Sequence, residues 1–132
     1  MKRRTFVWIS TASAITVFFP LIKCTQELNY VEILGNPSSL SHIYTSETIR
    51  ELGEYYRDLI PTEAKKNVLI TLLLRNEDED NISKSSDKLA IQNSLKKKII
   101  QDFKTNNIII IDGWILSKTE ARQCALYSLI YN

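Results

Sequence analysis

The sequence predicts a mainly α protein. It reads as a small helical domain of about four helices with a short β-hairpin before the last one, preceded by an N-terminal signal or anchor segment. Three observations predict this. Apolar residues recur at intervals of three and four along residues 47–75, 88–104 and 118–130. Two short apolar runs, residues 108–111 and 114–116, flank Asp112-Gly113, a pair suited to a tight primed turn. The first 24 residues hold a cationic start followed by an uncharged run. A chain of 132 residues, 44% hydrophobic and 24% charged, has room for one folded domain, and three glycines and three prolines are few for a many-turned all-β chain.

Residues 1–24 read as an address and residues 25–132 as the domain. Lys2, Arg3 and Arg4 precede residues 5–22, which carry no charge over 18 positions, just enough to span a bilayer. Arg3-Arg4 followed by Phe6 resembles the twin-arginine export signal. Lys2 and Val7 replace its usual flanks, while the Ser/Thr content of the run and Lys23 at its end fit the same class. The resemblance implies Arg3, Arg4 and Phe6 as export-signal residues, the Tat translocase as transport partner, cargo exported already folded, and a periplasmic, membrane-associated location. Leu21-Ile22-Lys23-Cys24 resembles a lipobox in its first position and its cysteine, so Cys24 is a candidate lipidation site, although Lys23 is unfavourable beside a cleaved bond. Lipidation, retention as an anchor and ordinary cleavage all stay open. The four cations before residue 24 account for more than the whole net charge of +2, and the rest of the chain, 13 Lys+Arg against 15 Asp+Glu, is near neutral. Without a basic stripe, nucleic-acid binding is not expected.

Residues 25–45 are mixed, with a turn cluster at Gly35-Asn36-Pro37-Ser38-Ser39, and are expected along the surface of the helices. Ser46 is placed to cap a helix over residues 47–59, whose apolar face is Ile49, Leu52, Tyr55, Tyr56 and Leu59. Gly53 inside it costs about 1 kcal/mol relative to Ala, which suggests close packing there. Pro61-Thr62-Glu63 breaks the chain, and Thr62 is expected to cap a second helix to about Arg75. Val68, Leu69, Leu72 and Leu73 form its stripe, widened by Ile70 and Leu74. The acidic run Glu77–Asp80 lacks the glycine and distal Glu of a calcium loop and reads as part of a solvated loop.

A third helix is expected over residues 88–104 with Leu89, Leu95, Ile99, Ile100 and Phe103 aligned. Lys96-Lys97-Lys98 points largely outward, towards solvent, an anionic lipid surface or an acidic partner. Asn106-Asn107 ends it. The two strands that follow are apolar throughout, so both faces of the hairpin should be covered by helices or a partner. Ser117-Lys118-Thr119-Glu120 is a capping box that opens the last helix, residues 118–130. Ala121, Cys124 and Ala125 there permit close approach of another backbone.

Catalytic equipment is not evident. His42, the sole histidine, sits in a loop-like stretch. Ser85-Ser86-Asp87-Lys88 stands without supporting motifs, the glycines are too scattered for a phosphate loop, and Cys and His lack metal spacing. Cys24 and Cys124 are too few and too far apart to form a disulfide framework. Cys124 reads either as a small buried residue or as a thiol for a bond to a partner.

Residues 111–126, Ile-Asp-Gly-Trp-Ile-Leu-Ser-Lys-Thr-Glu-Ala-Arg-Gln-Cys-Ala-Leu, resemble the C-terminal signature of small subunits of bacterial membrane-associated FAD-dependent dehydrogenases. These are of the gluconate 2-dehydrogenase subunit 3 and sorbitol/glucose dehydrogenase small-subunit type. The twin-arginine start and Thr48-Ile49, Leu52-Gly53, Tyr56 and Pro61-x-Glu63 are similar too. The resemblance implies a non-catalytic subunit that holds no cofactor itself. It binds, helps mature and escorts a large flavoprotein of the glucose-methanol-choline type, which carries FAD, often alongside a multihaem cytochrome c subunit. On physical grounds Asp112, Gly113, Trp114 and Cys124 are the candidate interface residues, with Trp114 either an anchor for a partner or a plug in this chain's own core. The other reading is an independent membrane-anchored periplasmic helical binding protein without a flavoprotein partner. A small enzyme using His42 or Cys124 is a third.

Overall fold

A computed structural model describes residues 30–75 and 87–132. The readings that concern Arg3, Arg4, Phe6, Cys24 and the acidic run lie outside those residues. The described part is mainly helical, with a two-stranded antiparallel hairpin before the last helix, as the sequence predicts. In order come α1 (residues 30–34), α2 (Ser46–Leu59), a 3-10 turn (Pro61–Glu63), α3 (Lys66–Leu74), α4 (Lys88–Lys104), β1 (Ile108–Ile111), β2 (Trp114–Ser117) and α5 (Lys118–Ile130).

The last helix is the centre of the domain. Ala121, Cys124, Ala125 and Leu126 are buried, and so are the polar Thr119, Glu120, Gln123 and Ser128, because α2, α3, α4 and the hairpin all pack on it. Small side chains let those neighbours approach. The closest approach is α2: a Cβ built on Gly53 would lie 2.0 Å from the Cys124 carbonyl oxygen. Beside Gly53, α2 buries Ile49, Leu52 and Tyr56. Residues 31–44 do more than cover the surface. Leu34 and Leu40 enter the core, and Gln123 Nε2 donates to the carbonyls of Leu34 at 3.1 Å and Asn36 at 3.3 Å.

The cap of α2 is Thr45 rather than Ser46. Thr45 has extended backbone and its Oγ1 accepts from the Thr48 N–H at 3.3 Å, whereas Ser46 is already helical. Thr62 does not start α3. It lies in the 3-10 turn closed by the Ala64 N–H on the Pro61 carbonyl, and α3 begins at Lys66 without a side-chain cap. The side of α3 that is buried is Leu69, Ile70, Leu73 and Leu74, with Val68 and Leu72 only half covered.

The packed face of α4 also departs from the expected one. Ile91, Leu95 and Asp102 turn inward, while Leu89, Ile100 and Phe103 are exposed. The apolar residues of this helix spread over one wide arc, so spacing alone does not say which part of the arc is covered. Lys98 is not outward-pointing either. Its Nζ donates to the carbonyls of Leu72 at 2.8 Å and Leu73 at 3.0 Å, satisfying the open end of α3.

Candidate partner interface

The hairpin is built by its turn and held by a buried polar base. Asp112 and Gly113 take φ of +50° and +82°, the left-handed values of a primed two-residue turn. No atom lies within 4 Å of a Cβ built on Gly113, so the backbone angle, not space, asks for glycine there. The register pairs Ile111 with Trp114, Ile110 with Ile115, Ile109 with Leu116 and Ile108 with Ser117.

Alternation then decides the faces. Ile111 and Leu116 point into the domain and are buried. Ile110 and Ile115 stand side by side on the other face, 63% and 60% exposed. Of the two covers the sequence calls for, helices or a partner, the helices of this chain cover Ile111 and Leu116 and leave Ile110 and Ile115 open among the described residues. Trp114 at the tip is 44% exposed, its ring set edge-on to Tyr44 with centroids 4.9 Å apart. Beside Tyr44 in the chain, Ile43 is also exposed.

The base of the hairpin gathers around Asp102. Its Oδ2 accepts from the Thr119 backbone N–H at 2.8 Å and the Thr119 hydroxyl at 2.6 Å, and its Oδ1 accepts from Asn107 Nδ2 at 3.0 Å. The Asn107 N–H donates to the Asp102 carbonyl at 2.8 Å, and Asn106 takes a φ of +58°. That is the helix-ending arrangement in which a left-handed residue lets the chain reverse. The capping box forms as expected, with the Glu120 N–H on Ser117 Oγ and the Ser117 N–H on Glu120 Oε2, both at 3.0 Å. The second Glu120 oxygen accepts from the Ser39 hydroxyl at 3.0 Å.

A second polar cluster ties α2 and the 3-10 turn to α5. Arg122 donates to both oxygens of Glu63 at 2.9 Å, and the Tyr56 hydroxyl donates to Glu63 Oε2 at 2.5 Å. Hydrogen bonds from Arg122 hold the Glu63 carboxyl below its ordinary value against the opposing effect of burial, with Tyr56 assisting. Burial, and then the bond to Glu63, push the Tyr56 phenol well above its ordinary value. Burial alone would lower Arg122; its bonds to Glu63 outweigh that and hold it above its ordinary value.

Of the residues singled out in the sequence, the structure brings Asp112, Gly113 and Trp114 together at one exposed tip. Cys124 does not join them. It is fully buried beneath α2, and burial pushes its thiol up to about 12. A bond from Cys124 to a partner thiol is therefore set aside, since neither an accessible sulfur nor a thiolate is at hand. His42 lies exposed in its loop, apart from the two polar clusters just described.

Asp102 was missed in the sequence, though a signal was there. An acid in the last turn of a helix opposes the helix dipole, so such a residue needs donors from elsewhere. Among the described residues no helix is long and apolar enough to cross a membrane, and no group of three or more His, Cys, Asp and Glu could hold a metal. No family model matches the chain, and neither does a curated protein or a solved structure.

Proposed function

We propose that this chain is a non-catalytic small subunit that binds a large FAD-dependent dehydrogenase of the glucose-methanol-choline type. On this reading it helps that partner mature and escorts it through the twin-arginine pathway to a periplasmic, membrane-associated site. One observation carries the binding role: a hairpin fixed at its base presents Ile110 and Ile115 to solvent as an apolar pair without a cover among the described residues, with the half-exposed Trp114 at the tip of the other face. An apolar pair on a hairpin braced at its base is suited to docking, because little order has to be gained on binding. The class of partner rests on the likeness of residues 111–126 to small subunits of such dehydrogenases, and the route on Arg3, Arg4 and Phe6. FAD belongs to the partner, and a multihaem cytochrome c subunit completes the assembly in the family that the chain resembles.

The test is a pull-down of the C-terminally tagged full-length chain from detergent-solubilised native membranes, with an absorbance spectrum of the eluate. The expected result is a much larger co-eluting chain with flavin bands. A lone colourless chain would overturn the proposal and leave an independent membrane-anchored binding protein as the account.

A further inference from the structure

We infer that the outward side of α4 is a second interaction surface, one that rests on an anionic phospholipid bilayer. With 3.6 residues per turn, Leu89, Lys96, Ile100 and Phe103 fall on one narrow stripe, turned away from the inward Ile91, Leu95 and Asp102. Leu89, Ile100 and Phe103 are each half or more exposed, and Lys96 is exposed among them. Lys97 and Lys104 stand on one flank. The inward side already packs this helix on the domain, so the stripe is not needed for the fold.

Charge says what covers it. The sequence of α4 holds five lysines and one acid. That acid, Asp102, is buried with both carboxylate oxygens taken by Thr119 and Asn107, so it neutralises nothing outside. Lys98 is occupied by the end of α3. Lys88, Lys96, Lys97 and Lys104 are exposed around the apolar residues. Leucine, isoleucine and phenylalanine that enter the headgroup boundary, ringed by lysines whose stems lie along it, make an interfacial helix.

A bilayer is favoured over an acidic protein by the chain's own start. Residues 5–22 are uncharged and long enough to anchor, and Cys24 is a candidate for a lipid. A tether of either kind keeps the domain beside the membrane, so even a modest stripe is occupied most of the time. The inference goes beyond the subunit reading. It uses a different face from the hairpin and stands whatever partner the hairpin takes.

The test places a thiol in the stripe of the full-length chain in native membranes. Ile100→Cys is reacted with a water-soluble maleimide, with Glu51→Cys on exposed α2 as control, and labelling is read at each position by peptide mass spectrometry. The native Cys24 is kept. The expected result is labelling at position 100 slower by about an order of magnitude in membranes than after detergent solubilisation, with position 51 unchanged. Lys96→Gln and Lys97→Gln, both at exposed sites, each remove about fivefold of that protection. Equal labelling in membranes and detergent overturns the inference. So does protection that persists in the detergent-solubilised complex, because a protein would then be the cover. The pull-down is independent of both outcomes, so failure here and failure of the subunit reading are told apart.

Discussion

The seam between α2 and α5 and the outer face of the hairpin treat apolar residues in opposite ways. At the seam, small residues bring two backbones together: Gly53 lies against the Cys124 carbonyl, with Ala121 and Ala125 on the same helix and Ile49, Leu52 and Tyr56 buried beside it. On the hairpin, two large β-branched residues face outward from a backbone held in place at its base, while the half-exposed Trp114 sits at the tip of the other face. The first arrangement stabilises the fold and leaves nothing for another molecule to touch. The second adds little to the fold and leaves much. On the proposed function, stability and association reside in different parts of one small domain, and substitutions should separate them.

The sharpest way to break the seam is Gly53→Ala. In an exposed helix that change would be favourable by about 1 kcal/mol. Here the new methyl meets backbone, which cannot rotate away, at 2.0 Å. The expected outcome is a loss of about 3 kcal/mol or more, read as the urea midpoint of the purified full-length chain followed by circular dichroism. An unchanged midpoint would mean that α2 and α5 do not cross at this residue.

Asp102→Ala comes next. It leaves the Thr119 N–H and hydroxyl without their acceptor in a buried place and removes the partner of the exposed Asn107 amide. The cost should be about 3 kcal/mol in the same measurement. It should also loosen the hairpin first, since the first and last residues of the two strands hang from this carboxylate through Asn107 and Thr119. Faster hydrogen exchange at residues 108–117 than in α2 would show it.

These two residues mark how far the sequence could be read. Asp112-Gly113, the Ser117–Glu120 capping box and the bounds of α4 and α5 were legible because each depends on neighbours within a few positions. Gly53 was legible as a close approach, since a glycine inside a helix otherwise has a cost and no use. The face of α4 was not. Leu89, Ile100 and Phe103 are as regular as the residues that are buried, and only the position of α5 decides between the two sides. Thr119, which holds Asp102, and Arg122, which holds Glu63, lie 17 and 59 residues along the chain, beyond the reach of any local pattern. Thr45, one position from the expected cap, shows the usual ambiguity where Thr and Ser stand together.

The Glu63–Arg122 pair sharpens the comparison from the polar side, because it ties the turn after α2 to α5, and α2 itself through Tyr56, by charge rather than shape. The folded protein keeps the Glu63 carboxyl below its ordinary value of 4.5. The unfolded chain therefore takes up the proton first as pH falls. The contribution of this group is complete above that ordinary value and is lost as pH drops through the lowered folded-state value. Glu63→Gln should cost about 2 kcal/mol at neutral pH. The gap between the two proteins should narrow in acid, below 4.5, when urea midpoints are compared across pH. A gap that is constant with pH would mean that the carboxylate charge does not matter.

The smallest effect on stability belongs to the outer face, and there the comparison is tested most directly. Ile110→Thr with Ile115→Thr keeps β-branched residues in a cross-strand pair and the same turn, so the strands should persist. Both side chains already face solvent, and the stability change should stay within about 1 kcal/mol. Capture of a partner should behave otherwise. Two large apolar side chains would be lost from the centre of the proposed docking surface, which should lower co-elution from native membranes by about tenfold or more. A large loss of stability with capture intact would reverse the assignment, making the hairpin a structural element and moving the docking surface elsewhere. A stable variant that no longer captures its partner would place association on the outer face and stability at the seam.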